Sequence, residues 1–163
     1  HGAIKMTVAL SDYLVEHYNF EDKRKKEGYE AWDKAFETYY NSSFGSAIVP
    51  IELETQNRDY SLSAVSIEGS YDGEKINVSF SSSEGAEGYK VYRKTINNRK
   101  KTQSVFRELL TLENGETSFS DSDFSAENNG LYSFTYIIVP FKTVDETEKY
   151  GSFDYLGLTV KVE

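Results

Sequence analysis

The residues able to do chemistry are few in this chain. Its 163 residues include two histidines and no cysteine, which removes thiol nucleophiles, disulfides and cysteine-built zinc sites at once. With His1 at the very start, a Ser-His-Asp arrangement would rest on His17, which lies in a tyrosine-rich stretch with no nucleophile elbow nearby. His17 reads as an ordinary surface or half-buried helix residue. Metal chemistry needs clustered ligands, and carboxylates are what remain. Asp121-Ser122-Asp123 can present oxygens to Ca²⁺, but it lacks the glycine and terminal glutamate of an EF-hand loop. Asx turns explain it more simply. With 27 acidic residues, pairs of carboxylates arise by chance, and none stands out as a glycosidase pair. The chain also has no Walker-type loop and no Gly-x-Gly-x-x-Gly run. It reads as non-enzymatic, with no catalytic residue, metal or cofactor expected.

One charged feature does stand out. Lys90, Arg93, Lys94, Arg99, Lys100, Lys101 and Arg107 fall within 18 residues that contain no Asp or Glu. On a hairpin, Arg99-Lys100-Lys101 would project from the turn, with Lys94 and the outward face of the preceding strand behind them. Such a surface can meet an acidic glycan, a phosphate-bearing surface or an acidic protein patch. The blander readings are that the charges protect an exposed sheet edge from aggregation, or that the hairpin docks on acidic N-terminal residues. Charge runs are usually solvated faces, which favours the blander readings. The run is hidden in the bulk charge of −9 because the residues on either side are strongly acidic. That bulk charge argues against a general nucleic-acid binder. No stretch approaches the ~20 apolar residues of a membrane helix.

The elements that would carry these residues divide the chain in two, at about residue 60. Residues 4–10 alternate like a strand, and Ser11 can cap a helix running through His17 and Tyr18. Tyr29, Trp32, Phe36 and Tyr39 then recur at helical spacing opposite Glu30, Asp33, Lys34 and Glu37. That stripe is a candidate docking face and, less simply, a platform for sugars. Ala47 to Leu53 is a short apolar run whose Pro50 suits an edge strand or linker. From about Leu62, short alternating runs recur with turn signals every 8–12 residues, the texture of a β-sandwich. Strands are expected from Val65, over 76–80 and 89–93, from about 102 to 112, over 117–120 and 131–141, and over 156–162. Asp72-Gly73, Asn97-Asn98, Asn114-Gly115 and Asn128-Asn129-Gly130 would supply turns.

The second part resembles a fibronectin type III domain in its bacterial form, over about residues 62–163. Ile76-Asn77-Val78-Ser79-Phe80 is similar to that family's strand B, and Ala86 to Arg93, with its Gly-Tyr and Val-Tyr-Arg, to its strand C. Thr117 to Asp121 is similar to strand E, Phe134 to Pro140 to strand F, and Gly151-Ser152 with Leu156 to Val162 to the last strand. Phe134 departs from the pattern by falling where a tyrosine corner would stand, so the hydroxyl bond there would be missing or supplied differently. Pro140 departs too, and is expected to end pairing early. Residues 1–60 resemble no family.

The fold expected is mainly β: a seven-stranded antiparallel immunoglobulin-like sandwich, fibronectin type III-like, over residues 61–163, preceded by an α-rich segment over 1–60. The resemblance implies a non-catalytic spacer or interaction module at the bacterial cell envelope or in secreted proteins, some of them lipoproteins. Its partner would be a protein or a cell-surface glycan. The alternative is a carbohydrate-binding accessory module, which needs exposed aromatics such as Tyr89 and Tyr92 or the N-terminal stripe. His1-Gly2 is compatible with a cloning scar, and any export leader would precede the residues present.

Overall fold

The computed structural model of the chain describes residues 57–125 and 129–163. The chain divides into two compact units, His1–Val49 and Pro50–Glu163, and the described residues belong to the second. The α-rich segment, with His17 and the Tyr29, Trp32, Phe36 and Tyr39 stripe, lies outside the described residues.

Among the described residues the chain is mainly β, in antiparallel sheets and without a helix, so none is long and apolar enough to cross a membrane. The strands are β1 (Ile67–Tyr71), β2 (Ile76–Phe80), β3 (Gly88–Asn97), β4 (Thr102–Gln103), β5 (Arg107–Glu113), β6 (Ser118–Asp121), β7 (Tyr132–Val144), β8 (Thr147–Tyr150) and β9 (Leu158–Lys161). One sheet has the order β1-β2-β6. The other is built on the long β3–β7 pair, in register from Gly88↔Phe141 to Asn97↔Tyr132. β5 and β4 follow one another along the free side of β3, and β8 and β9 along the free side of β7.

Alternation explains the core. Ile76, Val78 and Phe80 of β2 turn inward, and Asn77 and Ser79 turn out. They share one buried cluster with Tyr89 and Val91 of β3, Phe134, Tyr136 and Ile138 of β7, and Val160 and Val162. Leu62 and Val65, ahead of β1, join the cluster with Ala86 and Leu112. On the opposite face of the larger sheet, Tyr92, Ile137 and Val139 are also buried. Burial on both faces is why β7 reads as a continuous apolar run. Gly88 is required where β3 begins: a Cβ there would meet the Leu112 carbonyl oxygen at 2.6 Å and the Phe141 ring at 2.7 Å.

Several sequence expectations are corrected by the ladder. The strand expected from 102 to 112 is two, because β3 pairs with β4 in one register and with β5 in another. At the break, Thr95 donates its N–H to the Ser104 hydroxyl, while Ser104 donates its own to the Thr95 carbonyl. The side chain thus replaces a ladder acceptor at a bulge. Pro140 does not end pairing, and β7 runs four residues past it to Val144. The Pro140 carbonyl accepts from Gly151 N, so its nitrogen faces that same edge, away from β3, and no ladder donor is missed. β8 was not anticipated, since its turn uses Asp145 and Glu146 at φ 51° and 66° in place of glycine or asparagine. Leu156 stays outside the last strand, 46% exposed beside Gly157 at φ 65°. Near residue 60, Arg58 bridges to Tyr150 and Asp59 N donates to Tyr150 O.

Candidate functional site

The basic run occupies β3, the turn after it, β4 and the start of β5. The expected tight turn at Asn97-Asn98 is instead a longer one over Asn98–Lys101, and the left-handed residue is Lys101 at φ 59°. Asn97 organises this turn: its Oδ1 accepts the N–H groups of Arg99 and Lys100 at 3.1 and 2.9 Å, and its carbonyl accepts that of Lys101 at 2.8 Å. Asn98 fastens the turn to the neighbouring chain. Its N–H donates to Leu131 O, and its Nδ2 donates to Gly130 O and Ser133 Oγ. Three consecutive cations therefore project from a turn whose backbone is tied on both sides.

The seven cations divide into two groups. Lys90 and Arg93 are neutralised within the fold. Lys90 Nζ lies 3.2 Å from Glu148 and 4.0 Å from Glu108, over the Tyr150 ring. Burial alone would lower the Lys90 pKa, but the Glu148 hydrogen bond and the surrounding negative charge outweigh it and hold the pKa above its ordinary value. Glu148 is held below its usual range by the Tyr150 hydroxyl and by Lys90. Arg93 reaches across to the other sheet. Its Nη1 bonds Asp121 Oδ2 at 2.8 Å and the Asp123 carbonyl at 3.1 Å, and its guanidinium sits 4.8 Å over Phe134.

Tyr136 donates to the same Asp121 oxygen at 2.6 Å, while Asp121 Oδ1 accepts the Asp123 N–H. Burial, together with the Asp121 bond, pushes the Tyr136 hydroxyl far above its usual pKa. The donors on Asp121 occupy the oxygens that a Ca²⁺ ion at Asp121-Ser122-Asp123 would need.

Lys94, Arg99, Lys100, Lys101 and Arg107 form the second group, and none has a carboxylate partner among the described residues. Arg99, Lys100, Lys101 and Arg107 are exposed. Lys94 is half-buried, 5.0 Å above the Phe106 ring, and burial alone lowers its pKa. Arg107 stands directly opposite Arg93 in the ladder, a like-charge pairing that is unfavourable unless one member is neutralised. Asp121 does that for Arg93.

Of the aromatics expected for sugar stacking, Tyr89 and Tyr92 are not available, at 2% and 0% exposed, and the N-terminal stripe lies outside the described residues. Tyr89 and Tyr92 each face a buried side of the larger sheet. An open groove of about 360 Å³ crosses β2 and β6, lined by Asn77, Val78, Ser79, Ser118, Phe119 and Ser120. Its polar side chains are neutral, and Asn77 is held by Asp72 and Ser120. No group of three or more metal-ligating side chains occurs among the described residues.

Sequence reasoning found the cations but not what sorts them. Glu148, Glu108 and Asp121 lie 58, 18 and 28 residues from the bases they meet, so only the strand register brings them together. Asn98 could have been picked out as more than a turn former, because an asparagine side chain can fasten one turn to another. No family model, no curated protein and no solved structure matches the chain.

Proposed function

We propose that this chain is a non-catalytic interaction module, working at a bacterial cell surface or in a secreted protein, whose contact face is the basic end of the β3 hairpin. The observation that carries this reading is the set of five cations without carboxylate partners among the described residues, three of them on a hydrogen-bonded turn. In the same run, Lys90 and Arg93 are matched with acids by the fold, so the remaining charge points outward to a partner.

A fibronectin type III-like sandwich is the frame proposed for it. Supporting that frame, the two antiparallel sheets draw on one core. β2, β3, β6, β7 and β9 also fall on the segments similar to that family's strands B, C, E, F and the last. In such a frame the turn after strand C lies at one end of the domain, free to meet a partner. The non-catalytic reading is supported by the way the buried ionisable groups, Arg93 with Asp121 and Tyr136, are committed to one another.

The test compares the full chain with its Arg99→Gln/Lys100→Gln/Lys101→Gln variant on a panel of acidic probes at low salt. Binding that weakens with salt and with these substitutions is expected for at least one probe. Equal binding by both proteins to every probe would show that the contact face lies elsewhere.

A further inference from the structure

The chemistry of the basic end narrows the partner. Protein interfaces centre on buried aromatic or aliphatic anchors ringed by polar contacts. Membrane-binding segments combine cations with apolar side chains that enter the lipid. The basic end offers little of either. Phe106 is 5% exposed and lies beneath Lys94. The exposed large apolar side chains among the described residues are Val105, Val144 and Leu156, and of these only Val105 belongs to the basic segment. What this end presents is charge and hydrogen-bond donors.

The charge is also spread out. From the Arg93–Arg107 rung to Asn97 is four residues of strand, or about 13 Å at ~3.3 Å per residue. Arg99, Lys100 and Lys101 extend the strip beyond that point. A single phosphate would call for converging donors, whereas a strip fits a polymer that repeats its anions. The opposite end of β3 has the contrary sign. The loops there carry Glu84, Glu87, Glu113, Glu116, Asp145 and Glu146, all exposed. A polyanion is therefore repelled from one end of the strand and attracted to the other.

We propose that the basic end binds an anionic linear polysaccharide, through Arg99, Lys100, Lys101 and Arg107, at the end of the described unit that carries the turn after β3. This rests on the reading of that end as the contact face. The sugar ring needs no stacking partner here, because sulfate or carboxylate groups make the contact. The tied turn holds the three consecutive cations in place before the ligand arrives, which reduces the ordering cost of binding.

The experiment measures binding of the full chain to dextran sulfate, polygalacturonate, poly-L-glutamate and phosphatidylglycerol vesicles. Wild type is compared with the Arg99→Gln/Lys100→Gln/Lys101→Gln variant and with Lys75→Gln, an exposed lysine outside the strip. An unchanged melting temperature confirms that the variants are folded. Expected are binding to one or both polysaccharides, a loss of tenfold or more in the triple variant, and no change in Lys75→Gln. Raising salt from about 0.05 to 0.2 M should weaken the wild type by about tenfold, as released counterions are recaptured. The two polysaccharides separate sulfate from carboxylate as the preferred group. If poly-L-glutamate or the vesicles bind as tightly as the polysaccharides, the polysaccharide assignment falls and the contact face stands. If the triple variant binds every probe as wild type does, both fall.

Discussion

At the scale of single residues, Asp121 is the most consequential side chain in the described unit. Its side chain is 2% exposed, and it takes hydrogen bonds from Arg93, Tyr136 and the Asp123 N–H. A buried carboxylate deprived of its cation is costly, because its desolvation is no longer offset. Arg93→Met should therefore destabilise the protein by about 2–4 kcal/mol, toward the lower end because the arginine side chain keeps some contact with water. Adding Asp121→Asn should restore about half, since the amide oxygen can still accept from Tyr136 while the stranded charge is gone. Urea denaturation of the single and double variants measures both. A cost under about 1 kcal/mol for Arg93→Met would place the pair with solvated surface bridges.

At the scale of elements, the segment before β1 is attached to the sheet by polar contacts that acid should release. Asp59 N donates to Tyr150 O, and the Asp59 carboxylate holds Lys142 at 2.9 Å and accepts from the Ser61 hydroxyl. The Ser61 bond, then Lys142, lower the Asp59 pKa from 3.8 to about 2. A carboxylate with a depressed folded pKa contributes fully above its unfolded value and loses that contribution as pH falls through the folded one. The Asp59 and Ser61 amide resonances should therefore shift with a midpoint near 2, with the attachment weakening between about pH 4 and 2. Asp59→Asn should abolish the step, and a midpoint near 4 would mean the carboxylate is not engaged.

The same segment shows how far the sequence could be read. Alternation at Ile76, Val78 and Phe80, and glycine at Asp72-Gly73 and Asn114-Gly115, marked local structure that the described residues contain. Pairing over long separations left no such mark. The attachment of Arg58 to Gly151 O spans 93 residues, and the turn before β8 places at φ 66° Glu146, a type that rarely announces a positive φ. For the candidate site, the cations were legible as a run. Their division into matched and unmatched groups was not, since it depends on which acids the register brings to β3.

For the described unit as a whole, the separation of charge along β3 sets the conditions under which it matters. The strand's ten residues place the acidic loops about 30 Å from the basic turn at ~3.3 Å per residue. Screening decides whether the two ends act on the same ligand. The Debye length is about 8 Å at 0.15 M salt and about 30 Å at 0.01 M. At physiological salt, a polyanion on the basic turn should not feel the far loops, and Glu84→Gln/Glu87→Gln should leave its affinity unchanged. At 0.01 M the two lengths match, and the same substitutions should tighten binding by up to about twofold by removing repulsion. Lys100→Gln, within the strip, should weaken binding at both salts. Titrations of the three proteins at the two salt concentrations separate contact from long-range repulsion. If Glu84→Gln/Glu87→Gln changes affinity as much at 0.15 M as at 0.01 M, those loops touch the polymer directly and binding confined to the basic end is wrong.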